Sequence, residues 1–150
     1  ALGGSSSING MVYIRGHASD YNQWAQSGCT GWGWSDVLPY FRRSEWSERG
    51  ACEHRGGEGP LRTSTRHADH PFVHAFLDAC DEAGLGRTAD FNGTRMEGGG
   101  IYDSTTHDGA RWSAAKAYLE PARGRPNLDI WTDVLVERVT FEERRATGVE

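Results

Sequence analysis

Three groups of residues have types and spacings that could do chemistry. The first is the run Gly3-Gly4-Ser5-Ser6-Ser7-Ile8-Asn9-Gly10. Its glycines free the backbone for close approach, and its serines and asparagine add small hydrogen-bonding groups. A helix starting there would offer free N–H groups to an anion, which suits a ligand carrying a pyrophosphate and a polar ring system. By composition alone the run fits a flexible serine–glycine linker equally well. The run continues without a break into Met11-Val12-Tyr13-Ile14-Arg15-Gly16, an alternating apolar segment that linkers do not carry.

The second group is His67, His70 and His74, with Cys80 six residues further on. On one helix His70 and His74 would share a face at a metal-ligand spacing. Pro71 is placed to start that helix, however, leaving His67 and His70 in the loop before it. Exposed polar histidines and no metal are the expectation. The third group is the serines themselves. Gly4-Ser5-Ser6-Ser7-Ile8 lacks the second glycine of the Gly-x-Ser-x-Gly nucleophile elbow, which argues against a serine hydrolase. Trp24, Trp32, Trp34, Trp46, Trp112 and Trp131 offer another reading, a non-enzymatic ligand-binding module with an aromatic face. Aromatics at helical spacing more often form core.

These residues must be held by elements that the pattern predicts. Tyr21, Trp24 and Ala25 predict a short helix over Ala18 to Gln26. Ser35 is the expected N-cap of a helix running to about Glu45, with Val37, Leu38, Tyr40 and Phe41 as one buried stripe. Residues 47–60 read as a polar surface loop, and 60–63 as a short strand. Phe72, Val73, Phe76, Leu77, Cys80 and Ala83 predict a helix over 71–83, stopped by Gly84. Ile101 to His107 predicts a strand and Asp108-Gly109 a hairpin turn. Ser113 is expected to cap a helix reaching about Ala122. Residues 128–131 and 134–141 look strand-like, with a turn over Glu142 to Arg145 and a returning strand from Thr147.

The bulk properties narrow the classes. The 150 residues carry a net charge of −5 and no basic block, which argues against nucleic-acid binding. No apolar run approaches the roughly 18–20 residues of a membrane span. Cys29, Cys52 and Cys80 are few and scattered, as expected of reduced thiols in a cytoplasmic setting, with Cys80 a small core residue. Membrane association of a longer parent is left open.

The run from Leu2 to Gly16 resembles the first signature of the glucose–methanol–choline (GMC) oxidoreductases, and most resembles their choline dehydrogenase-like branch. Asp20-Tyr21, Trp24-Ala25, Gly31-Trp32, Asp36 to Phe41, Gly57 to Pro60, Asp90 to Gly93 and Asp108 to Ser113 continue the agreement over essentially the whole chain. The resemblance implies an enzyme that binds FAD and oxidises a small primary alcohol to an aldehyde. Hydride would pass to flavin N5, and oxygen or a quinone-linked chain would take the electrons. It implies that Gly3, Gly4, Ser5 and Ser6 lie along the FAD, and that Asn9, Gly10, Met11 and Val12 run under the flavin ring edge. Val136 matches a position whose backbone contacts the adenine end, though it reads equally as an ordinary core valine. Some relatives carry a flavin-linked histidine at the Ile8 position, so here the FAD would be non-covalent.

No Gly-x-Gly-x-x-Gly turn occurs, and neither does the family's second signature or its catalytic histidine. The expectation is therefore an α+β piece of a two-domain FAD-binding α/β flavoprotein. It would lack the N-terminal dinucleotide-binding βαβ unit and the C-terminal catalytic part, and it would hold no catalytic residue. The unfinished strand at Thr147 to Glu150 points the same way. Residues 1–16 and 110–150 would belong to the FAD-binding domain and residues 17–109 to a linking, substrate-side region. The isolated chain should neither hold FAD tightly nor turn over.

Overall fold

The structure is a computed structural model describing residues 1–150. A single tight 3-10 turn, Gly4–Ser7, precedes strand β1 (Val12–Tyr13) and helix α1 (Ala18–Gln26). His17 caps α1: its Nδ1 accepts from the Ser19 N–H at 3.2 Å, and Asp20 accepts the His17 N–H at 2.8 Å. Helix α2 (Trp34–Ser44) is capped by Gly33, whose N–H donates to Asp36 at 3.0 Å. The expected Ser35 cap is therefore two residues too late. The short acidic side chain at N3 reaches the preceding amide, which lets a residue without a side chain open the helix. The expected stripe is also narrower than its sequence suggests, because Tyr40 is 62 % exposed while Val37, Leu38 and Phe41 are half-buried.

Strand β2 (Glu45–Ser47) runs parallel to β3 (Leu61–Thr65), which pairs antiparallel with β4 (Asp103–Ser104); β4 pairs in turn with β1. The four-stranded order β1-β4-β3-β2 thus ties the N-terminal run to the middle of the chain. The turn from β2 back to β3 depends on two glycines. A Cβ on Gly56 would stand 1.9 Å from the Arg42 carbonyl oxygen, and one on Gly59 would stand 2.2 Å from the Ser44 carbonyl carbon. Both are close backbone approaches that only glycine permits.

Helix α3 (Pro71–Glu82) ends at Gly84, which is left-handed at φ 75°. Only Cys80 on it is buried, with Val73 and Leu77 half-buried; Phe72 and Phe76 face outward at 79 % and 62 % exposure. The expected strand over 101–107 is broken into β4 and β5 (Thr106–His107). Strand β5 pairs with β6 (Ala110–Arg111) through a tight turn in which both Asp108 (φ 48°) and Gly109 (φ 72°) are left-handed. That is the turn geometry the Asp-Gly pair predicts. A π-helical turn over Ala115–Leu119 then runs into the short helix α4 (Glu120–Ala122).

The strand-like apolar segments at 128–131 and 134–138 form no strand, because no neighbouring strand offers them a ladder. Only β7 (Val139–Glu142) and β8 (Arg145–Val149) pair there, as a separate hairpin. Trp131 and Leu135 are more than 80 % exposed.

The interior is unusual in composition. Of 16 buried residues, only Cys80 and Ala117 are apolar side chains; Arg15, Glu45, Arg55, Thr63, Asn92, Asp103 and Ser104 are among the rest. The 47–60 segment, read from sequence as a surface loop, carries Arg55 at the centre of this polar interior. No helix is long and apolar enough to cross a membrane.

Candidate functional site

The Gly3–Gly10 run folds back on itself through its own small side chains. Ser6 Oγ donates to the Gly3 carbonyl at 2.5 Å and Ser7 Oγ donates to the Leu2 carbonyl at 2.7 Å. Gly3 (φ 90°) and Gly4 (φ 57°) supply the left-handed backbone that starts the turn. Met11 is also left-handed, at φ 63°, a conformation that costs an ordinary residue about 1–2 kcal/mol. The Met11 N–H donates to Asn9 Oδ1 at 3.0 Å, which offsets part of that cost locally.

One side of this loop is tethered by residues more than fifty positions away. The Thr105 N–H donates to the Met11 carbonyl at 2.8 Å and the Ala114 N–H donates to Ser6 Oγ at 2.9 Å. Arg111 Nη1 donates to both the Ser6 carbonyl and Asn9 Oδ1, each at 3.0 Å, and Arg66 donates to the Gly10 carbonyl at 3.2 Å. The other side is open. Gly4, Ser5, Ile8, Asn9 and Gly10 are exposed, and nothing lies within 4 Å of where a Cβ would stand on Gly4 or Gly10. The Gly10 N–H has no acceptor within the chain. An apolar cleft of about 480 Å³ adjoins the loop, lined by Gly3, Ala114, Ala115, Tyr118, Leu119 and Leu128, with Arg125 at its edge. A tethered back, an open glycine-bearing front and an adjoining apolar cleft fit an elongated ligand with a polar middle and a flat ring.

The structure brings Gly3, Gly4, Ser5, Ser6, Asn9, Gly10, Met11 and Val12 into this one group. Val136 stands outside the loop and its cleft. It is 51 % exposed on an extended segment. Sequence reasoning missed the tethering residues Arg66, Thr105 and Ala114. It matched Arg111 only as one letter of a motif. The signal that could have found Arg111 was the Asp108-Gly109 turn, because a tight hairpin there must present residue 111 at a fixed place.

The histidines act differently from a metal set. His70 caps α3, with Nδ1 accepting the Phe72 N–H at 3.3 Å and its ring stacked on Phe72. The tryptophans form no single face. Trp24, Trp32 and Trp34 gather with Tyr21 and Phe41, while Trp46 and Trp112 flank His107 on the other side of the sheet connection.

Beneath the loop's continuation lies a knot of charge. Arg15 donates to Glu45 at 2.6 Å; Arg55 donates to Glu45 at 2.7 Å and to Asp90 and Asp103 at 2.5 Å each; Arg49 pairs with Asp103 at 3.0 Å. Three guanidiniums face three carboxylates, so the knot is neutral, and Asn92 joins it to β1 through the Arg15 N–H and the Tyr13 carbonyl. Burial pulls the Asp90 carboxyl upward, but hydrogen bonds from Arg55 and the Asn92 N–H, with the nearby positive charge, bring it below its ordinary range. Burial raises the Tyr13 phenol, and the Glu45 charge adds to this against the opposing pull of Arg15 and Arg55. Every carboxylate of the knot is engaged by a guanidinium, and the arrangement ties β1, β2, β4 and the 90–93 loop together.

Comparison with known proteins agrees with this architecture. The family model described as GMC oxidoreductase matches residues 1–150. The chain is 52 % identical to human mitochondrial choline dehydrogenase over 148 residues, covering 99 % of this chain and 25 % of that protein. It is also 52 % identical to the oxygen-dependent choline dehydrogenase of Brucella anthropi over 149 residues, covering 99 % and 27 %. Among solved structures, pyridoxine 4-oxidase from Mesorbium loti superposes with a TM-score of 0.87 at 34 % identity, over 97 % of this chain and 29 % of that one. An FAD-dependent oxidoreductase from Chaetomium thermophilum superposes with a TM-score of 0.86 at 29 % identity, over 97 % and 27 %. The chain thus spans about a quarter of the length of the curated relatives it matches. With a mixed helix-and-strand fold shared with those flavoprotein structures and a family model matched from its first residue to its last, this chain belongs to the GMC oxidoreductase family.

Proposed function

We propose that the protein of which this chain forms a part is an FAD-dependent alcohol dehydrogenase, acting on the CH–OH group of choline or a similar small primary alcohol and producing the aldehyde. The observation that carries the reading is the tethered-back, open-front loop from Gly3 to Val12, in a chain half identical to choline dehydrogenases. Gly3, Gly4, Ser5 and Ser6 would lie along the FAD and Asn9, Gly10, Met11 and Val12 near the flavin ring, with Val136 toward the adenine end. When bound, the flavin supplies the hydride acceptor for the alcohol carbon. The chain's own residues bind and orient: the loop presents the Gly10 N–H and two unobstructed glycine faces, and the adjoining Tyr118–Leu119 cleft offers apolar surface to the ligand.

Ile8 carries no nucleophile, so no covalent flavin link forms at this position, which supports a non-covalently held FAD. Residues 1–16 and 110–150 serve the FAD-binding domain and 17–109 the linking, substrate-side region, while the base that takes the hydroxyl proton comes from elsewhere in the protein. Oxygen or a quinone-linked chain reoxidises the flavin. The test is to purify the full-length parent and record its visible spectrum. A flavin band that denaturation releases as free FAD, and that choline bleaches without oxygen, is the expected result. A colourless parent, or a flavin that no primary alcohol bleaches, overturns the reading. The 150-residue chain alone is expected to retain no flavin.

A further inference from the structure

We infer that Arg111 is a positioning residue for the ligand-facing loop, holding it in its binding shape from behind; the inference rests on the FAD reading above. Four observations carry it. Arg111 belongs to β6, at the end of a two-residue turn whose Asp108 and Gly109 are both left-handed, so the hairpin delivers it to one place. That hairpin is anchored at its base, where the Trp112 indole N–H donates to the Pro60 carbonyl at 2.8 Å and the ring packs edge-on against His107. A single nitrogen, Nη1, joins the Ser6 carbonyl to Asn9 Oδ1, at 3.0 Å each, across 105 and 102 residues of sequence. It therefore bridges the two halves of the loop, the serine turn and the Asn9–Met11 corner. Finally, Arg111 has no carboxylate within 4 Å.

Every other feature of the half-buried guanidinium follows from that position. Arg15, Arg49 and Arg55 are neutralised by carboxylates, whereas the charge of Arg111 is left to the loop. A cation held behind the loop favours a diphosphate-bearing ligand, and the planar guanidinium fixes the direction of the Nη1 donors that reach the carbonyl and the amide oxygen. Asn9 Oδ1 accepts from Arg111 and from the Met11 N–H together, so the left-handed Met11 backbone depends on the same arginine.

The experiment uses the full-length parent, stripped of flavin and reloaded with FAD. Arg111→Gln is expected to raise the FAD dissociation constant at least ten-fold and to change the visible circular dichroism of the flavin that does bind. Arg111→Lys should fall between it and the wild type. Asn9→Ala should weaken FAD binding in the same direction, and Asn9→Ala combined with Arg111→Gln should lose less than the sum of the two single losses, because the two residues share the Arg111–Asn9 bond. Arg87→Gln, which breaks an exposed pair with Asp78 and Asp81, should change nothing. Should Arg111→Gln fail to fold, Asn9→Ala decides: wild-type affinity and flavin dichroism in it overturn the inference. Wild-type affinity in Arg111→Gln, or strictly additive losses in the double variant, overturn it as well. A wild-type parent that binds no FAD overturns the function proposed above and this inference with it, an outcome visible before any variant is made.

Discussion

Arg55 and Glu45 meet at 2.7 Å with both side chains shut off from solvent, and the remaining donors of the same guanidinium reach Asp90 and Asp103. One arginine thereby fastens β2, the 90–93 loop and β4. Removing one partner of such a group leaves charge buried without an answer, which costs about 3–5 kcal/mol. Arg55→Met in the full-length parent should lower the urea unfolding free energy by about that amount. Arg55→Lys should recover less than half, since one ammonium cannot serve three carboxylates in a plane. Equal stability of the lysine variant and the wild type would contradict this account.

Asp90 gives the acid limb of stability. Its folded carboxyl titrates below the ordinary value of 3.8, so in acid the unfolded chain binds the proton first. Its contribution is complete above that ordinary value and disappears as pH falls through the lower, folded one. The stability gap between wild type and Asp90→Asn should therefore be constant from about pH 7 to pH 5 and narrow below 3.8. A gap that widens in acid would reverse the sign.

Tyr13 sets the alkaline counterpart. Its phenol titrates above 10.0 in the fold, so the stability it contributes is present below that value and lost as pH rises through the folded one. An ultraviolet phenolate titration should show that Tyr13→Phe deletes a late-titrating tyrosine. Loss of one from the ordinary range would argue against the burial of this ring.

Gly109 is left-handed in the hairpin that carries Arg111, and an alanine there costs about 1–2 kcal/mol. Gly109→Ala should lower the melting temperature slightly and weaken FAD binding more than its stability loss alone explains. Gly56→Ala, whose new methyl would collide with the Arg42 and Glu45 carbonyls, should cost at least about 3 kcal/mol. Soluble, fully stable Gly56→Ala protein would mean that the backbone there has room to spare.

The local elements were legible and the long-range ones were not. Helices α1 and α3 and the Asp108-Gly109 turn follow from residues within a few positions of each other, where spacing carries the information. The serine–glycine run was legible as an ordered loop rather than a linker because it continues without a break into strand β1. The charge knot left no such trace. Arg15, Glu45, Arg55, Asp90 and Asp103 are scattered single letters in polar stretches, and their charged partners lie 10 to 54 residues away. The 47–60 segment looked like solvated loop for that reason. The apolar 128–138 stretch misled in the opposite direction, since alternation suggests a strand only when another strand stands ready to pair.

The polar interior has a consequence for how substitutions are tolerated. In an oily core, neighbours absorb a change of shape as long as volume is kept, so many sequences serve. Around Arg55 the requirement is for donors and acceptors at fixed angles, and almost no other side chain meets it. A deep mutational scan of the parent should read charged positions 15, 45, 55 and 103 as nearly invariant. Drift in this part of the family would then pass its ionic centre by.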